Sequence, residues 1–259
     1  MICYYKILKE SRLILLIIIM VILSACGFSD KTSKIASADS AVAASSEITG
    51  DWVSLFDGKT FNRWHTYGRD SVSKAWKVED SVIHLNSLLK NGWQTAGGGD
   101  LVTDEEYSNF DLKLEWKISE AGNSGIFFYV HEDTTKFKNP NQSGLEMQIN
   151  DDANNKNGTT EKQRNGDLVG LASSSSAKEV KPAGQWNLSE IRSDRGKLYF
   201  FINGQLILST TLWDDSWENL INNSKFKNIK AYGTYKKGRI ALQDHGADVW
   251  FRNIMIKKL

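Results

Sequence analysis

Cysteine is almost absent from this 259-residue sequence, and the two that occur, Cys3 and Cys26, both lie near the amino terminus. The remainder of the chain therefore has no disulfide, no thiol nucleophile and no cysteine metal site. The chain also lacks an excess of charge, because its formal net charge is +1. Without a basic field to attract phosphates, nucleic acid is not an expected partner.

Long hydrophobic runs are missing as well, apart from residues 13–23, which are too few to span a bilayer comfortably. Lys6, Lys9 and Arg12 precede this run, and the small residues of "LSAC" follow it. This order is typical of a secretory signal. An ordinary signal peptide and a membrane helix are the alternatives.

The tetrapeptide "LSAC" resembles a bacterial lipobox, whose cysteine is acylated and becomes the first residue of the mature protein. The resemblance implies that residues 1–26 are a lipoprotein signal peptide and that Cys26 carries the lipid. Residues 27–48, rich in Ser, Ala, Asp, Lys and Thr, are predicted to be a flexible linker. We therefore expect a protein anchored in the cell envelope, in the periplasm or on the outer membrane surface, that contacts the membrane through its lipid only.

Residues 49–259 hold all nine tryptophans and several segments that alternate between apolar and polar residues. Such segments, bounded by Gly, Asn or Asp, are typical of strands in an all-β domain. They predict a sandwich of two antiparallel sheets. Short helices are expected only near residues 104–107 and 214–221, and the polar segment 151–176 is too long for a hairpin loop.

The alternation also predicts which strand faces carry polar groups. Glu146 and Gln148 share one face of their strand, as do Lys113 and Glu115 of another, with Leu112, Leu114 and Trp116 opposite. In "RIALQDHG" the outward set is Arg239, Ala241, Gln243 and His245. Polar groups buried in a strand need partners. We expect these polar residues to line the concave side of a sheet, where a carbohydrate supplies their hydrogen-bond partners.

Each of these residues also has an ordinary explanation. His245 would then be a histidine at a strand end, Glu115 and Glu146 solvated carboxylates, and Arg239 the partner of a carboxylate. His131 and Asp133 are weak candidates for a pair of metal ligands, because ligand spacing alone is permissive. Trp76, Trp93 and Trp186 are more often core residues than platforms for a sugar ring.

Six blocks of the chain, in order from about residue 51 to residue 259, resemble the 3-keto-disaccharide hydrolase domain family. The resemblance implies a concanavalin-like jelly-roll sandwich that acts on sugars already oxidised at carbon 3. The blocks are "WVSLFDGKTFNRWH", "WKVEDSVIHL", "GGGDLVTDEEYSNFDLKLEWKISEAGNSGIFFYV", "GLEMQIND", "KPAGQWNLSEIRSDRGKLYFFINGQLIL" and "GRIALQDHGADVWFRNIMIKKL".

The resemblance also implies a chemistry. A ketone at carbon 3 acidifies the hydrogen on carbon 2, so a base can remove it and the resulting enolate can expel the aglycone from carbon 1, with or without later hydration. Such a site needs a base, an acid and an electrophile. Carried over to this chain, the catalytic candidates are His245, Glu146 and Glu115; the substrate-binding candidates are Asn123, Gln148, Arg239, Gln243 and Lys113.

Which residue is the base and which the acid stays open at this point. The resemblance implies no certain cofactor, although a divalent metal held by histidine and carboxylate is compatible with it. Two other functions use the same sandwich: a noncatalytic carbohydrate-binding module on the cell surface, and a structural adhesion domain. Titratable groups gathered in a cleft would favour the enzyme.

Overall fold

The computed structural model describes residues 50–155 and 160–259, which belong to one compact unit, Glu47–Leu259. The predicted signal peptide, the linker and Cys26 lie outside the described residues. Within them, no helix is both long and apolar enough to cross a membrane.

Fifteen strands and one α-helix make up the described chain. In chain order they are β1 Val53–Ser54, β2 Trp64–Thr66, β3 Trp76–Glu79, β4 Val82–Leu85, β5 Lys90–Asn91, β6 Gln94–Thr95, β7 Leu101–Thr103, β8 Phe110–Ile118, β9 Asn123–Val130, β10 Leu145–Asn150, β11 Asn187–Asp194, β12 Lys197–Ile202, β13 Gln205–Thr211, α1 Asp215–Asn222, β14 Arg239–Leu242 and β15 Val249–Lys258. A single 3₁₀ turn, Pro140–Gln142, precedes β10.

Two antiparallel sheets form the sandwich, as the alternating pattern predicts. The eight-stranded sheet has the order β13-β12-β11-β8-β15-β4-β3, with β1 paired to β15, and the five-stranded sheet has the order β10-β9-β14-β7-β2. Strands β5 and β6 form a separate hairpin. The jelly-roll prediction is confirmed.

The predicted apolar faces of three strands meet in the core between the sheets. Leu112, Leu114 and Trp116 of β8 pack there against Leu145, Met147 and Ile149 of β10 and Ile240 and Leu242 of β14, all buried. Removing such side chains from water is the main term that stabilises the sandwich. The opposite faces of β10 and β14 are left for polar groups.

Strand β9 departs from simple alternation at Tyr129, whose φ is +57°. The ring of Tyr129 lies in the core, where its hydroxyl donates to the Ser108 carbonyl at 2.6 Å, whereas Val130 packs with Phe127 on the outer face. Simple alternation along "SGIFFYVHE" predicts that Val130 shares a face with Ile126 and Phe128, and this prediction is wrong. A left-handed residue in the strand reverses the faces that follow it, as bulges do.

Of the two predicted helices, only the second forms. Helix α1 begins after Asp214, whose carboxylate caps it by accepting from the Trp217 amide at 2.8 Å. The segment 104–107 is not helical, because Tyr107 forms a β-bridge with Gly238 instead.

The long polar segment after β10 covers the edge of the five-stranded sheet. Its backbone hydrogen-bonds to that strand at three points: Gln148 N to Asp167 O, Gly166 N to Gln148 O and Val169 N to Glu146 O, at 2.8–3.0 Å. Edge strands with free amides invite other chains to pair with them. Here the segment uses those amides and is held beside Glu146 and Gln148.

Candidate active site

A pocket of about 180 Å³ opens on the outer face of the five-stranded sheet; we call it the first pocket. Strand β10 contributes Glu146 and Gln148, β9 contributes Asn123, and the end of β14 leads to Gln243 and His245. Its other lining residues are Trp93, Asn141, Gln163, Val169 and Lys225. The volume lies below the ~300–1,000 Å³ of drug-sized sites, and it suits a single sugar ring.

The first pocket thus brings together Asn123, Glu146, Gln148, Gln243 and His245 from the residues expected to act on substrate. It does not include Glu115, Lys113 or Arg239.

Glu115 and Lys113 lie on the outer face of the eight-stranded sheet, across the core from the first pocket. Glu115 accepts from Arg252 Nε at 2.8 Å and from Asn253 Nδ2 at 2.8 Å, and Lys113 lies 3.4 Å from Glu190. Alternation identifies an outward face but not the sheet that carries it. The expectation that these two residues share a face of the sandwich with Glu146 is therefore corrected.

Arg239 lies on β14, but at the end opposite to Gln243. Its guanidinium binds Glu132, with Nε 2.9 Å from Oε2, and donates to the Thr103 carbonyl at 2.7 Å. Its ordinary explanation, as the partner of a carboxylate, describes this geometry. A register shift between Arg239 and Ala241 separates the residue from the polar group at the other end of the strand.

Glu146 reaches the first pocket because the neighbouring strand has a glycine beside it. A Cβ on Gly125 would lie only 2.3 Å from Glu146 Oε1, so any larger residue would displace the carboxyl. The side chain is buried, and burial raises its pKa from 4.5 to about 8, against the opposing charge of Lys225 and a hydrogen bond with Gln243. Glu146 is therefore protonated at neutral pH and can donate.

His245 has the opposite shift. Burial lowers the pKa of its imidazole below the ordinary 6.5, and the nearby charge of Lys90 adds to the effect while that of Asp244 opposes it. The ring lies 5.4 Å from that of Trp93, at a tilt of 47°. A neutral imidazole at neutral pH can accept a proton.

Asp244 lies between Gln243 and His245 in the chain, but it is not part of the pocket lining and instead organises a loop. Its buried carboxylate accepts from Thr95 N at 3.0 Å, Thr95 Oγ1 at 2.9 Å and Gly99 N at 2.8 Å. A Cβ on Gly98 would lie 2.1 Å from Asp244 Oδ2, so only glycine fits there. These bonds hold the β5–β6 hairpin, and with it Trp93, beside His245.

One side-chain amide of the first pocket has an oxygen that forms no hydrogen bond within the described residues. Gln148 Nε2 donates to the Gln163 carbonyl at 3.1 Å, but Gln243 Oε1 is buried without a hydrogen-bond partner in the described part of the chain. Unpaired buried acceptors are rare in folded proteins. A hydroxyl of a bound ligand would satisfy this one.

Lys225 is the most important residue that the sequence analysis did not identify. It follows α1 in a loop, and its side chain passes Gly170, where an added Cβ would lie 2.6 Å from Lys225 Cε, to line the first pocket together with Glu146. Trp93 was considered a core residue, whereas the structure places it in the pocket with 44% of its surface exposed. Loop residues such as Lys225 leave no periodic signal in the sequence.

Among the remaining candidates, Trp76 is buried in the core, as expected for a core tryptophan. Trp186 lies against Arg252, 4.0 Å from the guanidinium carbon to the ring centroid. His131 stacks on Tyr235, while Asp133 pairs with Lys136 at 2.7 Å.

A metal site is not evident in residues 50–155 and 160–259, where no group of three or more His, Cys, Asp or Glu side chains could hold an ion. In the first pocket, Glu146 is the only carboxyl and His245 the only imidazole. These two groups alone do not make a metal site.

The sequence profile of the 3-keto-alpha-glucoside-1,2-lyase-like domain matches residues 51–257. A 3-keto-disaccharide hydrolase of Bacteroides thetaiotaomicron is 36% identical over 227 residues, which cover 80% of this chain and 78% of that protein. The chain belongs to this family. The resemblance found in the six sequence blocks is thus confirmed at the level of the 3-keto-alpha-glucoside-1,2-lyase-like family.

Solved structures from Parabacteroides distasonis agree with the family assignment. One, described as a glycosyl hydrolase, has a TM-score of 0.72 and 32% identity, and the match covers 80% of this chain and 94% of that one. A second, described in the same way, has a TM-score of 0.60 and 26% identity, and the match covers 81% and 100% of the two chains.

The buried proton of Glu146 predicts how stability depends on pH. Between pH 4.5 and about 8 the folded protein keeps this proton while the unfolded chain releases it, so the free energy of unfolding falls as pH rises through that range. Glu146→Gln removes the ionisation. We expect the variant to gain stability over the wild type, by on the order of a few kcal/mol between about pH 5 and about pH 8, in urea denaturation.

Glu115→Gln is the matched control. Although burial raises the pKa of Glu115, hydrogen bonds from Asn253 and Arg252 and the charge of Arg252 outweigh it and lower that pKa. The effect of this substitution on unfolding should therefore stay constant above about pH 5. A constant effect for Glu146→Gln as well would contradict the buried proton.

Proposed function

We propose that the protein cleaves 3-keto-glycosides by removing the proton on carbon 2 and eliminating the aglycone from carbon 1. The observation that carries this proposal is the pairing, in one small pocket, of a histidine held neutral and a glutamic acid held protonated. Environments that push two pKa values apart distinguish an acid from a base. The relatives named as 3-keto-disaccharide hydrolase and glycosyl hydrolase support a glycoside-cleaving role.

In this reaction His245 is the base and Glu146 the acid. The imidazole takes the proton from carbon 2, and the electron pair of that C–H bond moves into the carbonyl to give the enolate. The enolate then restores the carbonyl and forms a double bond between carbons 1 and 2 as the bond from carbon 1 to the aglycone oxygen breaks. Glu146 donates its proton to that oxygen. Addition of water across the double bond completes hydrolysis where it occurs.

The enolate carries a negative charge that the pocket must stabilise. Lys225 is the cation that lines it, and its charge reaches the Glu146 carboxyl. It takes the electrophilic role, since Lys113 and Arg239, the cations expected to bind substrate, lie outside the first pocket. The amides of Asn123, Gln148 and Gln243 add hydrogen bonds that fix the hydroxyls of the ring. Donors placed before the reaction in a buried site stabilise developing charge most effectively.

The carboxyl content of the first pocket distinguishes this proposal from ordinary glycoside hydrolysis. That mechanism uses two carboxyl groups on either side of the scissile bond, whereas Glu146 is the only carboxyl among the lining residues. A noncatalytic binding module would need only stacking and hydroxyl contacts. It would not require a neutral histidine and a protonated carboxyl in the same pocket.

Replacing His245 tests the base. We expect His245→Ala to lower the rate of aglycone release from a 3-keto-glucoside by roughly 100-fold or more, the usual scale for a lost general base. The unoxidised parent glucoside should be inert with both proteins, because its carbon 2 hydrogen is not acidic. Glu115→Gln, which changes a carboxyl on the opposite sheet, should leave the rate unchanged. A folded His245→Ala protein with wild-type activity would remove this residue from the chemistry.

The two shifted pKa values predict a bell-shaped pH profile. As pH falls below the lowered pKa of His245, the base becomes protonated and kcat/KM declines. As pH rises through about 8, Glu146 loses its proton and kcat/KM declines again. Steady-state rates across this range measure both limbs. If activity instead climbs with pH through about 8, then Glu146 acts as the base and the assignment is reversed.

A further inference from the structure

A second pocket, of about 240 Å³, lies on the same outer face. It is formed over the far strands β2 and β7, whereas the first pocket lies over β10, β9 and β14. Apart from backbone and threonine groups, its lining residues are Tyr67, Arg69, Asn91, Gln94, Asp100, Lys138 and Asn139. No step of the proposed reaction uses these residues.

The two pockets share both of their walls. On one side the β5–β6 hairpin places Trp93 in the first pocket and Gln94 in the second. On the other side the segment around the 3₁₀ turn places Asn141 in the first and Asn139 in the second. The two pockets therefore lie side by side between the same two segments, an arrangement that allows a ligand to extend from the ring beside Glu146 into the second pocket.

The floor between the pockets is fixed by two buried aspartates. The Asp244 amide donates to Asp100 Oδ1 at 2.8 Å, and the Asp244 carboxylate binds the hairpin and the glycine turn. The Tyr67 hydroxyl donates to the Phe137 carbonyl at 3.0 Å, which holds its ring in the wall. The second pocket is thus formed by tied groups and not by free loop ends.

The exposed charged side chains that line the second pocket are both positive. Arg69 and Lys138 line it from different segments, and neither forms an ion pair with any residue in the described ranges. The only carboxyl in its lining is Asp100, which is fully buried, and this burial raises its pKa to about 7. Two exposed cations that form no ion pair within the described residues therefore line a pocket whose single lining carboxyl is buried.

We propose that the second pocket binds the leaving group of the glycoside, and that it selects a leaving-group sugar bearing a carboxylate, as a uronic acid does. This inference rests on the proposed function, which places the scissile bond beside Glu146. Arg69 and Lys138 bind the carboxylate, since a guanidinium fits its two oxygens. Asn91, Gln94 and Asn139 bind the ring hydroxyls.

Direct binding tests this inference without turnover. The probes are glucuronate and glucuronamide, which have the same shape and differ by the charge. We expect glucuronate to bind the full chain at least ~5-fold more tightly in ligand-observed NMR titrations, as exposed ion pairs of ordinary strength provide. The double variant Arg69→Gln/Lys138→Gln should bind both probes equally. Equal affinities in the wild type would overturn the inference.

Lys197→Gln is the matched control, because this exposed lysine lies on β12 in the other sheet and binds Thr211. It removes one positive charge from the chain but should keep the preference for glucuronate. A loss of preference in this variant would attribute the effect to the overall charge and overturn the inference.

Cleavage assays separate this inference from the proposed function. A methyl 3-keto-glucoside needs only the first pocket, so its cleavage tests the reaction alone. A 3-keto-glucoside of glucuronic acid should have a kcat/KM at least ~5-fold above that of its neutral glucose counterpart, and the double variant should abolish the difference. Cleavage of the methyl glycoside with no such preference overturns the leaving-group assignment only. Failure to cleave any of the three overturns the reaction and that assignment together.

Discussion

The site depends on one constraint: a carboxyl group must be buried on the outer face of a sheet without a counterion that ionises it. Gly125 makes the space, because it lacks the Cβ that would meet Glu146 Oε1 at 2.3 Å. The segment that pairs with β10 and the loop that carries Lys225 close over it. Burial then raises the pKa of Glu146 to about 8 in spite of the lysine, and this gives the pocket a proton to donate at neutral pH.

The position of His245, the proposed base, follows from a second buried carboxylate with a different role. Asp244 is tied to Thr95 and Gly99, and these bonds hold the hairpin whose Trp93 lies beside His245. The three polar residues that follow β14, Gln243, Asp244 and His245, therefore have different positions. Gln243 and His245 line the first pocket, and Asp244 fixes the hairpin that forms its wall beside them. Buried polar groups with complete hydrogen bonding rigidify a site in this way.

Much of this architecture is predictable from the sequence, and the rest is not, for physical reasons. Period-two alternation correctly assigned the core residues of β8, β10 and β14, because a strand with one buried face must repeat that pattern. It failed after Tyr129, where a left-handed residue without a glycine signal reverses the faces. It also could not separate Glu115 from Glu146, since each sheet of a sandwich has an outward face. Lys225 depends on a loop path past Gly170, which no local pattern encodes.

Elimination requires carbon 2 to lose its proton as the glycosidic bond breaks, and isotope incorporation at carbon 2 measures that loss. The enzyme is allowed to act on a 3-keto-glucoside in deuterated water, the reaction is quenched early, and the keto sugar product is analysed for deuterium at carbon 2. An enzyme-free sample of the product corrects for spontaneous exchange. Elimination followed by hydration predicts deuterium at carbon 2 above that control. Retention of the original hydrogen, as direct hydrolysis through an oxocarbenium-like state requires, would contradict the account.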